Sequence, residues 1–140
     1  MTLLDLECEQ FDVTIAFLHS DIPGDTEIYV EQPYGYSDGS NKVCLLRKAL
    51  YGLRTSPLWW LGTFTQAIRA LGFESLSTEV CFFYNKALRA YLVIYVDDML
   101  VSAPSTSVID RVYSELGKHF RMKRLRPIKS FLGYNIRRDR

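Results

Sequence analysis

Two adjacent carboxylates, Asp97 and Asp98, stand in the middle of the most apolar stretch of the chain, Leu92-Val93-Ile94-Tyr95-Val96-Asp97-Asp98-Met99-Leu100-Val101. Burying an unpaired charge is costly, so this run cannot pass straight through a core. A tight turn between two strands solves the problem by setting Asp97 and Asp98 at a hairpin tip, backed by the core but outside it. Two carboxylates so close repel each other and resist joint ionisation unless a cation relieves them. Hard oxygen ligands of this kind suit Mg²⁺ or Mn²⁺. Taken alone, the dipeptide reads more readily as an ordinary Asp-Asp turn than as a metal site.

Asp12 adds a third carboxylate. It ends an apolar-flanked strand and is followed by Val13 and then Ala16-Phe17-Leu18, which reads as a turn into a short helix. Three carboxylates at the ends of neighbouring strands can hold two metals roughly 3.5–4 Å apart, the arrangement used for in-line phosphoryl displacement. Nothing in the spacing by itself makes Asp12 a neighbour of Asp97.

The remainder of the chain must supply the sheet and its cover. Residues 3–13 alternate apolar and acidic through Leu4, Leu6, Cys8, Phe11 and Val13, a strand pattern. Glu27 to Gln32 reads as a second strand, Pro33 to Asn41 as loop and Val43 to Leu46 as a short strand. Ser56-Pro57 opens a helix whose stripe is Trp60, Phe64, Ala67, Ile68 and Leu71, and Gly72 stops it. Trp59 and Trp60 read as core packing. Strands follow from Val80, and a second helix runs from a Ser107–Asp110 capping box through Ile109, Val112, Leu116 and Phe120. The tail, Met122 and Leu125 and then Phe131 to Ile136, alternates like a hairpin. Strands are not regularly separated by helices, so the pattern predicts an α+β sheet with helices on one face.

With 140 residues, the chain has room for one domain and a genuine core. A net charge of +1 conceals an asymmetry: residues 1–41 carry nine acids and no Lys or Arg, whereas residues 118–140 carry nine bases and a single acid. Any basic surface is therefore local, and an anionic partner is not excluded. Cys8, Cys44 and Cys81 are widely spaced and odd in number, which argues against a disulfide framework or a zinc site and for reduced core thiols. His19 and His119 read as surface or loop residues. The chain lacks a signal-peptide pattern and an apolar run of about 20 residues, so it is expected to be soluble and intracellular, without membrane association.

Tyr95-Val96-Asp97-Asp98 resembles the Y-x-D-D box of reverse transcriptases, and the chain as a whole resembles the reverse-transcriptase domain of Ty/copia-type retrotransposon polyproteins. Gln10-Phe11-Asp12-Val13 with Ala16-Phe17-Leu18 is similar to that family's first aspartate motif. Glu27-Ile28-Tyr29 with Glu31-Gln32-Pro33 and Gly35 matches the next block. Val43-Cys44-Leu45 and Leu50-Tyr51-Gly52-Leu53-Arg54 with Pro57 resemble the block after it. Cys81-Phe82, Tyr95 to Leu100, Phe120-Arg121-Met122-Lys123 and Phe131-Leu132-Gly133 follow in the family's order, so the resemblance covers about residues 5–137.

The resemblance implies a single palm domain over residues 1–140, with the fingers and thumb of the complete polymerase largely missing. It implies that Asp12, Asp97 and Asp98 are the catalytic, metal-binding carboxylates for two Mg²⁺ or Mn²⁺ ions, with the Val13 carbonyl as an extra ligand. Phe17 falls where the family has the aromatic that excludes a ribose 2′-hydroxyl. Tyr95 and Val96 would line the primer end and nucleotide site. Tyr51 to Arg54 would approach the incoming nucleotide or template, with Arg54 a cation near phosphate. Lys118, Arg121, Lys123, Arg124, Arg126 and Lys129 would face a nucleic-acid backbone or form a solvated terminal surface. The implied partners are an RNA or DNA primer–template, deoxynucleoside triphosphates and the remainder of a Pol polyprotein, in the cytoplasm, a virus-like particle or the nucleus. Departures occur at Thr55-Ser56-Pro57-Leu58, where the family's Gln and Arg are absent, at His19-Ser20 and at Arg124-Leu125-Arg126. The alternative is an inactive element remnant; a metal-dependent nuclease using the same carboxylates is a third reading.

Overall fold

The computed structural model describes residues 5–76, 78–125, 128 and 130–137. Its strands are β1 (Glu7–Val13), β2 (Tyr29–Val30), β3 (Cys44–Leu45), β4 (Glu74–Leu76), β5 (Glu79–Asn85), β6 (Ala90–Tyr95), β7 (Asp98–Ala103), β8 (Met122–Leu125), β9 (Ser130–Phe131) and β10 (Tyr134–Asn135). Helix α1 spans Ser56–Ala70 and α2 spans Thr106–Leu116, and a 3₁₀ turn covers Ala16–His19. Among the described residues, six strands form one antiparallel sheet in the order β4-β5-β6-β7-β1-β8. β2 pairs with β3, and β9 with β10, as two small separate ladders.

The alternation that marks a half-buried strand decides which side of the sheet is covered. Phe11 and Val13 of β1, Phe83 of β5, Leu92 and Ile94 of β6, and Met99, Val101 and Ala103 of β7 join one core cluster. The same cluster contains Trp60, Phe64 and Ile68 of α1 and Ile109, Val112 and Leu116 of α2, so both helices cover one face. This is the α+β arrangement that the element order predicts. Its centre is aromatic: Trp60 meets Phe120 edge-on at 5.1 Å between ring centroids, and Phe64 packs on Phe120 and on Phe83 at 5.8 Å.

Helix α1 begins with Pro57 in its first turn, as the sequence predicts. It ends in a Schellman motif: the Gly72 and Phe73 amides donate back to the Arg69 and Ile68 carbonyls, with Gly72 at φ +80°. The Asn85 side chain, buried at the end of β5, donates to the Leu71 carbonyl and closes the same end.

Several local expectations need correction. The residue preceding α2 is Ser105, in extended conformation, so the Ser107–Asp110 capping box does not form; Ser105 Oγ instead lies 2.8 Å from Ser107 Oγ. Met122–Leu125 is not an arm of a tail hairpin but joins β1 as the edge strand, because its half-buried residues find cover beside β1. The tail hairpin is only Ser130–Phe131 with Tyr134–Asn135. The strand expected over 27–32 is reduced to Tyr29–Val30. The three cysteines are free but half-buried rather than core. His19 is half-buried, and its ring packs against Phe120 and Trp60. Arg126, Lys129 and the first strand positions expected at Leu3 and Leu4 lie outside the described residues.

Candidate active site

The carboxylates gather at one end of the central three strands. Val96 and Asp97 are the two turn residues between β6 and β7, with Tyr95 and Asp98 paired across the turn's base. Asp98 is in turn the register partner of Asp12 on β1. Asp97 is tied to the same strand, because the Val13 amide donates to its carbonyl at 2.8 Å. Asp12, Asp97 and Asp98 thus share one sheet end although they come from distant parts of the chain.

The side chains of Gln10, Asp12 and Asp98 lie on the face away from the helices, since their neighbours Glu9, Phe11, Val13 and Met99 are buried on the helix side. Gln10 Nε2 donates to Asp98 Oδ1 at 3.1 Å and orients that carboxylate. Lys123 of β8 is the register partner of Asp12 on its other side, and is exposed. The open face therefore carries the row Asp98, Asp12, Lys123 across three strands.

The turn is strained and held. Val96 has φ +55°, a left-handed conformation that costs a β-branched residue about 1–3 kcal/mol. Its carbonyl accepts a hydrogen bond of 2.7 Å from Trp60 Nε1 of α1. Ile15, three residues after Asp12, is likewise left-handed at φ +51° and begins the 3₁₀ turn. Two β-branched residues in this conformation therefore flank the carboxylates. Such strain persists only where the surroundings enforce it, and it concentrates at functional sites.

Beside the carboxylates lies an aromatic pair. Phe17 is 5% exposed and packs into the core, with the Tyr51 ring tilted over it at 4.4 Å between centroids. Tyr51 is the more open of the two. Desolvation pushes its phenol above the ordinary range, with the negative charge of Asp97 next and that of Asp12 adding to it, against a backbone hydrogen bond at Ala16. The hydroxyl thus feels both carboxylates. Ser56 Oγ donates to the Leu50 carbonyl at 2.6 Å and ties the Tyr51 segment to the start of α1. Tyr95 is exposed at the turn's base, and Arg54 is exposed in the turn before α1.

The cations expected at a nucleic-acid surface separate into two kinds. Lys123 and Arg121 are exposed, and Lys118 is exposed with an ion pair to Glu115 at 2.7 Å. Arg124 is different. It is the register partner of Phe11, so its side chain turns to the helix side, where it pairs with Glu9 and with Asp110 of α2 at 2.6 Å. Its guanidinium lies over the Tyr113 and Phe11 rings, 5.5 and 5.9 Å from their centroids.

As donors, three carboxylates and a backbone carbonyl fit a hard divalent cation. Among the described residues, however, no three acidic, His or Cys side chains converge closely enough to form a metal cluster. The backbone supplies the juxtaposition, while Asp98 is engaged by Gln10. Gln10 and Trp60 are the contributors that sequence reading missed. The signal for Trp60 was available, because a buried indole N–H requires an acceptor.

Residues 5–140 match the family described as reverse transcriptase (RNA-dependent DNA polymerase). The chain belongs to this reverse transcriptase family. It is 37% identical over 142 aligned positions, 98% of the chain and 10% of the relative, to the retrovirus-related Pol polyprotein from transposon TNT 1-94 of Nicotiana tabacum. It is 38% identical over 129 positions to a putative transposon Ty5-1 protein of Saccharomyces cerevisiae, covering 89% of the chain and 41% of the relative. To the retrovirus-related Pol polyprotein from transposon RE1 of Arabidopsis thaliana it is 31% identical over 133 positions, 92% of the chain and 9% of the relative. The chain therefore spans between about a tenth and two-fifths of these relatives, which are Ty/copia-type polyproteins, as the motif resemblance implies. Among the described residues, no helix is long and apolar enough to cross a membrane.

Proposed function

We propose that this reverse-transcriptase chain is the palm of an RNA-directed DNA polymerase and that Asp12, Asp97 and Asp98 are its catalytic carboxylates. The observation that carries this is the direct register of Asp12 with Asp98, with Asp97 tied to Val13, in a chain of this family. Asp12, Asp97, Asp98 and the Val13 carbonyl would hold two divalent cations, Mg²⁺ or Mn²⁺. Bound there, the cations supply acidification of the primer 3′-hydroxyl and neutralisation of the departing pyrophosphate. In the reaction that oxygen forms a bond to the α-phosphorus of a deoxynucleoside triphosphate, and the bond to the pyrophosphate oxygen breaks.

The chain's own residues orient the reactants. Tyr95 and Val96 border the carboxylates where a primer end would lie. Phe17, the aromatic expected to exclude a ribose 2′-hydroxyl, lies beneath the tilted Tyr51 ring beside the site, and a flat ring against the sugar excludes an added 2′-oxygen by contact. Arg54 is a cation for triphosphate or template. Lys118, Arg121 and Lys123 meet backbone phosphates, a salt-sensitive interaction independent of sequence. Arg124 acts within the fold through Glu9 and Asp110. As part of a longer Pol polyprotein, the chain would work inside the cell, in the cytoplasm, a virus-like particle or the nucleus.

Primer extension on an RNA template with Mg²⁺ tests the reading. Nucleotide incorporation by the wild-type chain, abolished in Asp97→Asn, is the expected result. No incorporation by the wild type would favour the non-catalytic remnant, and cleavage of nucleic acid without nucleotides would favour the nuclease.

A further inference from the structure

We infer that Trp60 is a positioning residue for the catalytic turn, with its indole N–H holding Val96 in the left-handed conformation that sets Asp97 and Asp98 against β1. The inference rests on the proposed role of those carboxylates.

Three observations carry it. First, Val96 is a β-branched residue at φ +55°, so the turn does not adopt this shape by its own preference and relaxes unless it is held. Second, the turn is held from two sides. Trp60 Nε1 donates to the Val96 carbonyl at 2.7 Å, and the Val13 amide donates to the next carbonyl, that of Asp97, at 2.8 Å. Two successive peptide oxygens are thus fixed by two different elements. Third, the indole itself cannot drift. Trp60 is 2% exposed and wedged among Phe64, Phe120 and His19, and it sits one helical turn after Ser56, which is anchored on the Leu50 carbonyl. Helix α1 therefore fixes the carboxylate turn relative to the segment bearing Tyr51.

Packing alone asks only for a large apolar ring at position 60. The hydrogen bond makes a separable demand, which Trp60→Phe removes while keeping an aromatic ring. Amide hydrogen exchange by NMR on the whole chain reads the effect. In Trp60→Phe, the Val13 amide is expected to exchange at least tenfold faster, while the Val101 amide, in the middle of β7, keeps its wild-type rate. Equal acceleration of both, or none, overturns the inference. A test on the wild type needs no variant: the Trp60 indole N–H should exchange at least tenfold more slowly than that of Trp59, and equal rates refute the hydrogen bond. A third variant separates the turn's strain from the helix. Asn adopts left-handed φ readily, so in a Val96→Asn background Trp60→Phe should accelerate Val13 exchange less than threefold. An undiminished effect there overturns the account.

Mn²⁺ binding, followed by the loss of the free-ion electron paramagnetic resonance signal, links the turn to the site. A several-fold weaker affinity in Trp60→Phe is expected, and unchanged affinity refutes the positioning role. If the wild type binds no Mn²⁺, the metal reading of the site fails, while the exchange measurements still decide whether Trp60 holds the turn.

Discussion

Asp12 of β1 and Asp98 of β7 are direct register partners in an antiparallel pair, like charges held opposite each other on the open face of the sheet. Such pairs are destabilising by about 0.2–1 kcal/mol. Asp98→Asn relieves the repulsion and leaves an oxygen to accept from Gln10. The variant should melt about 1–4 °C higher than the wild type and lose nucleotide incorporation. Calorimetry and primer extension together check this exchange of activity for stability, which is the mark of a site retained for chemistry.

Lys123 and Arg124 are adjacent in sequence and turn to opposite faces of the sheet. Lys123 is exposed beside Asp12, so Lys123→Ala should weaken primer–template binding and lower the salt-dependence slope by about 1, with little change in melting. Titrations at several salt concentrations measure that slope.

Arg124, by contrast, has a side chain only 18% exposed and shares Glu9, whose side chain is 10% exposed, with Asp110 as second partner. Arg124→Ala leaves Glu9 without this cation and removes ring contacts with Phe11 and Tyr113. It should cost about 2–4 kcal/mol of stability in urea unfolding. Replacing both members, with Glu9→Gln and Arg124→Met, should cost clearly less than Arg124→Ala alone, because no buried charge is then left behind.

The loop after β2 has its own pH signature. Hydrogen bonds from the Ser40 hydroxyl, the Gln32 side-chain amide and the Ser40 backbone hold the Asp38 carboxyl at about 2, below its ordinary 3.8. The folded value is depressed, so the ordering this carboxylate confers is complete above its ordinary value and is lost as pH falls through about 2. A carboxyl-detected NMR titration should find the midpoint there, and Gln32→Ala should move it up.

Local signals carried much of the fold. The Pro57 start, the Trp60–Phe64–Ile68 stripe and the Gly72 stop define α1 because capping and period act within one or two turns. The Asp97-Asp98 pair in an apolar run announced its own hairpin, although the two turn residues are Val96 and Asp97, and Asp98 opens β7 opposite Tyr95. Where local signals compete, the sequence does not choose between them. Two serines flank the start of α2, and the one selected depends on how the chain leaves β7.

The sequence by itself determined the two helices and the main strands, which family the chain resembles, and which three carboxylates could act together. Only the tertiary structure decided that Asp12 lies opposite Asp98, that Lys123 faces out while Arg124 faces in, and that a core tryptophan reaches the turn before Asp98. The physical reason is that an alternating strand states which side chains share a face but not which strand lies beside it. β1 is paired with β7 on one side and β8 on the other, elements far along the chain, and that pairing is set by burying one face of the whole sheet under α1 and α2.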